Sequence, residues 1–119
     1  MTTRKPIAPE RDELKACLQL LALHPRIAWA RRLNSGATVL EHEGKKRIVR
    51  FGWKGAPDII GQTSGGSLLG GRFFAWECKA KGKKPTEDQL ETLANISVSG
   101  GYAGWGTAAD LERYLRAMG

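Results

Sequence analysis

Phe73-Phe74-Ala75-Trp76-Glu77-Cys78-Lys79 is an apolar run that turns charged at its end, and Gly55-Ala56-Pro57-Asp58-Ile59-Ile60 sets one more acid at the mouth of a second apolar run. Short apolar runs bounded by turn residues read as strands. Side chains two apart on a strand leave one face, and the residue between them leaves the other. Glu77 and Lys79 are therefore predicted to point together, with Cys78 turned into the core. An acid from each of two adjacent strands, Asp58 and Glu77, can hold Mg²⁺ through hard oxygen ligands and leave positions for water and phosphate. Lys79 then sits where an attacking water and phosphate charge would be. The same Glu-x-Lys spacing also fits a solvated strand face with a weak cross-strand ion pair, and this pattern alone leaves both readings open.

Outward from these runs, apolar spacing places helices on either side of a mixed sheet. Leu14, Cys17, Leu18 and Leu21 recur at helical intervals, and His24-Pro25 closes that helix because proline disfavours helical geometry in the residue before it. Ile27 to Leu33 is predicted as a strand, Asn34-Ser35-Gly36 as a turn, and Thr38–Glu41 with Arg47–Phe51 as a hairpin around Glu43-Gly44. The Gly/Ser-rich stretch from Gln62 to Gly71 has no Gly-Lys-Ser/Thr ending, so it reads as a strand connector rather than a phosphate-cradling loop. Thr86 has the position of a helix N-cap, with Gln89 three residues on to complete a capping box, and Leu90, Leu93 and Ile96 form the apolar stripe. Gly100-Gly101 ends this helix. Tyr102–Trp105 follows as a strand, and Thr107 caps a last helix with Leu111, Tyr114 and Leu115 inward. The four tryptophans could stack on bases; Trp53 is the one expected at the surface, whereas Trp29, Trp76 and Trp105 fall in strands and are expected to pack in the core instead.

Composition limits the alternatives. At 119 residues the chain is expected to be one domain, 1–119, able to bury roughly two thirds of its unfolded surface without staples. Two cysteines make no disulfide framework, and His24 and His42 supply no convincing zinc set, a combination suited to a reducing compartment. No apolar stretch approaches the length that spans a bilayer, so the expectation is a soluble cytoplasmic protein with no membrane partner. The net charge of +7 is uneven: residues 26–84 carry thirteen Lys and Arg against four acids, whereas residues 85–119 carry two against five. Arg31, Arg32, Lys45, Lys46, Arg47, Lys54, Lys81, Lys83 and Lys84, with Arg26 and Arg50, thus bracket the acids and point to a polyanion such as DNA.

In order and spacing, the Asp58 segment, the Glu77-Cys78-Lys79 triplet and Gln89 on the next helix resemble the PD-(D/E)XK nuclease superfamily, and within it the small VRR-NUC branch. The resemblance spans nearly the whole chain, from a first helix carrying Glu10 to the terminal strand and helix. It implies a restriction-endonuclease-like α/β/α sandwich with a central mixed β-sheet. Asp58 and Glu77 resemble the metal-binding acids, Lys79 the catalytic lysine, and Gln89 a site glutamine. Glu10 is similar to the first-helix acid that completes the metal or water shell, with Glu13 as the competing position. The Cys78 main-chain carbonyl is implied as a further ligand. Cys78 departs from the aliphatic residue more usual there, though a small buried thiol fits such a place.

The resemblance further implies Mg²⁺, with Mn²⁺ able to take its place, and hydrolysis of DNA phosphodiesters. Stand-alone relatives of this size are similar to enzymes of branched or junction DNA that act as homodimers. Other readings are a nicking or flap-type nuclease, a basic DNA-binding module that keeps its acids only as an ion-pair network, and an RNA-binding accessory protein.

Overall fold

The computed structural model describes residues 9–33, 36–51, 53–65 and 70–118. The element order is α1 (Pro9–Leu23), β1 (Ile27–Arg32), β2 (Gly36–His42), β3 (Lys45–Phe51), β4 (Ile59–Thr63), β5 (Phe73–Cys78), α2 (Glu87–Val98), β6 (Tyr102–Gly106) and α3 (Ala108–Ala117). Four strands form a mixed sheet in the order β1-β4-β5-β6. β1 with β4 and β4 with β5 are antiparallel, and β5 with β6 is parallel. A parallel pair needs a crossover, which α2 supplies. The molecule is therefore a mixed α/β sandwich built on one central sheet.

Strand alternation divides that sheet into two faces. Ile59 is in register with Trp76, so both project with Phe74 and Cys78 toward Cys17 and Leu21 of α1 and Leu111 and Leu115 of α3. Tyr114 of α3 meets Phe74 and Trp76 edge to face, with ring centroids 6.3 Å and 5.5 Å away. The other face, which carries Ala75 and Glu77, receives α2, anchored by buried Leu93. Gly101 lies where this layer closes on the sheet: a Cβ there would stand 2.8 Å from Ile96 Cγ2 and 2.9 Å from Phe73 O.

α1 ends at Leu23, before His24-Pro25, as the sequence predicts. Thr86 and Thr107 both cap their helices through complete capping boxes, the second with Asp110 at N3. The hairpin turn is the one expected, with Glu43 at φ 50° and Gly44 at φ 77°, a pair of left-handed residues that matches the twist of two antiparallel strands. The hairpin's place in the fold is one that the sequence pattern leaves open. β2 and β3 form a sheet of their own rather than joining the central one, and their main contacts are with each other. Val39, Leu40 and Ile48 are consequently exposed.

Three packing assignments also need correction. Trp29 and Trp105 are 40% and 38% exposed, so only Trp76 of the three strand tryptophans lies in the core. Leu90 is exposed on α2, where Leu93 is the stripe residue that is buried. Gln62 and Thr63 belong to β4, so the Gly/Ser-rich connector begins at Ser64. Asn34-Ser35, Gly52 and residues 66–69 lie outside the described residues. No helix among the described residues is long and apolar enough to cross a membrane.

Leu111→Ala, at a position with no exposure, should destabilise the protein by roughly 2–5 kcal/mol in a denaturant titration. Ile48→Ser, at a 62% exposed position of the hairpin, should shift the main transition by no more than about 0.5 kcal/mol. Equal losses would show that the hairpin is part of the same packed core.

Candidate active site

The antiparallel register that sets Ile59 against Trp76 brings Asp58, one residue before β4, beside Glu77, the penultimate residue of β5. Two crossed hydrogen bonds fix the pair. The Asp58 amide donates to Glu77 Oε1 at 3.1 Å, and the Cys78 amide donates to Asp58 Oδ2 at 3.0 Å. Each acid thus continues the strand ladder with a side chain in place of a carbonyl. Pro57 and Ala56, both buried, pack the approach.

Glu77 is 2% exposed, an unusual setting for a carboxylate. Its remaining oxygen, Oε2, accepts from Gln89 Nε2 at 2.8 Å and lies 3.6 Å from Lys79 Nζ. Lys79 follows the end of β5, and its amide donates to Gly106 O of β6 at 2.9 Å, which holds the lysine's backbone in line with the sheet. Its side chain is only 12% exposed and reaches Glu10 Oε1 at 4.0 Å. Asp58, Glu77, Lys79, Gln89 and Glu10 are therefore gathered at one end of the two central strands, between the N-terminal turns of α1 and α2.

Gln89 uses both ends of its amide. Oε1 accepts the Thr86 N–H at 2.8 Å and completes the capping box, while Nε2 donates to Glu77. The helix cap and the site contact are one constraint, because the cap fixes which way the amide points. Glu10 and Glu13 are separated as clearly. Glu13 Oε1 accepts the Ala108 N–H at 2.7 Å and ties α1 to the start of α3, so Glu10 is the first-helix acid directed at the site.

Burial, followed by the nearby Asp58 charge, pushes the Glu77 carboxyl up to about 8, against the opposing pull of Lys79. The Cys78 thiol is pushed well above its ordinary value, first by its contact with the Cys17 thiol and then by burial, so it stays protonated. It is a packing group, not a nucleophile.

The donor set fits a hard divalent cation. Two carboxylates side by side, one of them desolvated, favour an added positive charge, and Mg²⁺ is commonly held by one or two carboxylates with water and phosphate completing its shell. An extended residue turns its N–H and C=O toward the same neighbouring strand. The Cys78 carbonyl therefore faces the side on which Asp58 stands. Among the described residues no cluster of three or more His, Cys, Asp or Glu side chains is arranged to hold a metal, and Glu10 meets Lys79 rather than the acid pair.

The basic residues fall into three groups. Arg31 and Arg32 are exposed on β1; Lys45, Lys46 and Arg47 are exposed where β3 begins at the hairpin tip; Lys81, Lys83 and Lys84 are exposed in the segment between Lys79 and α2. Lys54 lies in the loop leading to Asp58 and pairs with Asp88 at 3.3 Å. Arg26 reaches the Met118 carbonyl, and the Arg50 side chain lies outside the described residues. Trp53 is exposed as expected. Trp105, which the sequence assigns to the core, is in register with Glu77 on β6 and stands exposed on the same face of the sheet. The signal available was Glu77's own strand position, but which β6 residue pairs with it is set by the crossover through α2. Comparison with protein-family models, curated proteins and solved structures finds no match to this chain.

Because the folded Glu77 carboxyl lies at about 8 and its ordinary value is 4.5, folding favours its protonated form. In metal-free solution this contribution should be complete below about pH 4.5 and disappear as the pH rises through 8. Melting temperatures of the wild type and of Glu77→Gln in chelator should converge or cross over that interval. Added Mg²⁺ should stabilise the wild type increasingly with pH, since it competes with that proton. A wild-type-minus-variant difference independent of pH would contradict this account.

Proposed function

We propose that this chain is a Mg²⁺-dependent endonuclease that hydrolyses DNA phosphodiester bonds, the reading implied by its resemblance to VRR-NUC proteins. The observation that carries it is the buried Glu77 carboxyl set beside Asp58 and Lys79 and held by Gln89 at the ends of central strands. Burying the Glu77 carboxyl beside a second acid costs stability that an apolar residue would not, which favours a functional role.

Asp58 and Glu77 would hold the ion, with the Cys78 carbonyl as a third donor. When bound, Mg²⁺ polarises the phosphate and lowers the pKa of a coordinated water. Lys79, restrained by Glu77 and Glu10, presents its ammonium to the charge that builds on the phosphoryl oxygens. Gln89 keeps the Glu77 carboxylate in one orientation. The exposed basic groups attract the phosphate backbone without reading its sequence. Branched or junction DNA as the substrate, and a homodimer as the active unit, belong to the same proposal and rest on the resemblance. Two copies about a twofold axis would present two such sites to two strands.

Duplex, flap, four-way junction and single-stranded DNA, each incubated with and without Mg²⁺, test the proposal directly. Asp58→Asn should abolish Mg²⁺-dependent cleavage while keeping the fold, because the amide oxygen still accepts from Cys78 but a charged ligand is lost. Lys79→Ala should lose cleavage with little loss of DNA affinity. Replacing Lys45, Lys46 and Arg47 together by alanine should flatten the dependence of log K on log salt by up to roughly 0.9 per lost contact on duplex DNA. Binding to all four substrates with no cleavage under any metal condition would favour the non-catalytic DNA-binding module instead.

A further inference from the structure

Beside the acid cluster lies a second feature that cleavage chemistry does not use. A cavity of about 350 Å³ runs from Lys79 past Lys81 and Lys83 to Trp105 and Arg113. Lys79 belongs to both places, so the cavity adjoins the proposed catalytic site. Trp105 stands on β6 in register with Glu77, one strand away, and parallel partners project from the same face. Trp105 is 38% exposed, and its ring stacks on no other ring among the described residues.

The charges around it favour an anion. Asp110 is the acid lining the cavity, and it is already engaged by the Thr107 amide and hydroxyl and by Arg113. Lys81 and Lys83 are exposed and have no ion-pair partner among the described residues. An apolar ring flanked by free ammonium groups matches a nucleotide, with base on indole and phosphate on lysine. A base inside a duplex cannot offer its face to a side chain, because its neighbours already cover it.

We infer that the Trp105 cavity is a subsite for an unpaired nucleotide of the DNA strand, next to the phosphate held at Asp58, Glu77 and Lys79. The neighbouring phosphate's position rests on the nuclease reading; the stacking site itself does not. Base and cut are thereby coupled. A strand with an unpaired nucleotide beside the scissile bond fills both places, and continuous duplex fills only one.

The test uses the full chain in the non-cleaving Asp58→Asn background, with an oligothymidylate of about ten nucleotides and an abasic strand of the same length as probes. Trp105→Ala should weaken oligothymidylate binding about tenfold and leave the abasic strand unchanged, while Trp105→Phe should retain most of the affinity. Lys81→Ala with Lys83→Ala should weaken both probes and lower the salt slope by roughly 0.7 per lost contact. Equal loss on the two probes in Trp105→Ala, or no loss on either, would overturn the subsite. So would a phenylalanine variant no better than alanine. Cleavage by the wild type with no base-dependent effect of Trp105 would remove the subsite and leave the nuclease. Base-dependent binding without cleavage under any metal condition would support the subsite and remove the nuclease.

Discussion

The pairing of β4 with β5 is the constraint on which the rest depends. Ile59 opposite Trp76 places the core on one face of the sheet and the acids on the other. Since side chains alternate with a period of two, a slip of one residue would turn Glu77 into the apolar layer and Cys78 toward α2. The crossed bonds from Asp58 N to Glu77 and from Cys78 N to Asp58 exist only in the observed register. Site geometry and sheet geometry are in this sense one specification.

That specification also explains why the cluster tolerates burial. Every charge in it is answered locally: Glu77 by an amide, a side-chain amide and an ammonium, Lys79 by two carboxylates, Asp58 by the Cys78 amide. The Glu77 carboxyl nonetheless sits well above its ordinary range, so these contacts do not fully offset its desolvation.

Most of the layout was legible from local pattern. The 3.6-residue spacing of Leu14, Cys17, Leu18 and Leu21, the proline after His24, the left-handed Glu43-Gly44 turn and the two threonine caps each specify structure within a few residues, and the structure follows them. The acids and lysine were legible because the same alternation that defines a strand also says which side chains point together. What was not legible is how elements far apart in sequence cover one another. Trp105 and Trp29 alternate as core residues would, yet β1 and β6 are the outer strands of the sheet, and no local signal reveals that a strand will be outermost. The hairpin's separation from the sheet has the same origin: its strands are correct, and their neighbour is not written in them. Gln89 could be placed as a cap from sequence, but its second bond needs Glu77, twelve residues earlier on another element.

The β2–β3 arm has a consequence for how the molecule comes apart. Two strands alone bury little, and Val39, Leu40 and Ile48 lie open to water, so the arm draws on the core for almost none of its stability. It can open and reform while β4, β5 and the acid cluster remain in place, as a low-energy partial unfolding distinct from the global one. Its amide protons would then exchange with solvent far sooner than those of β5.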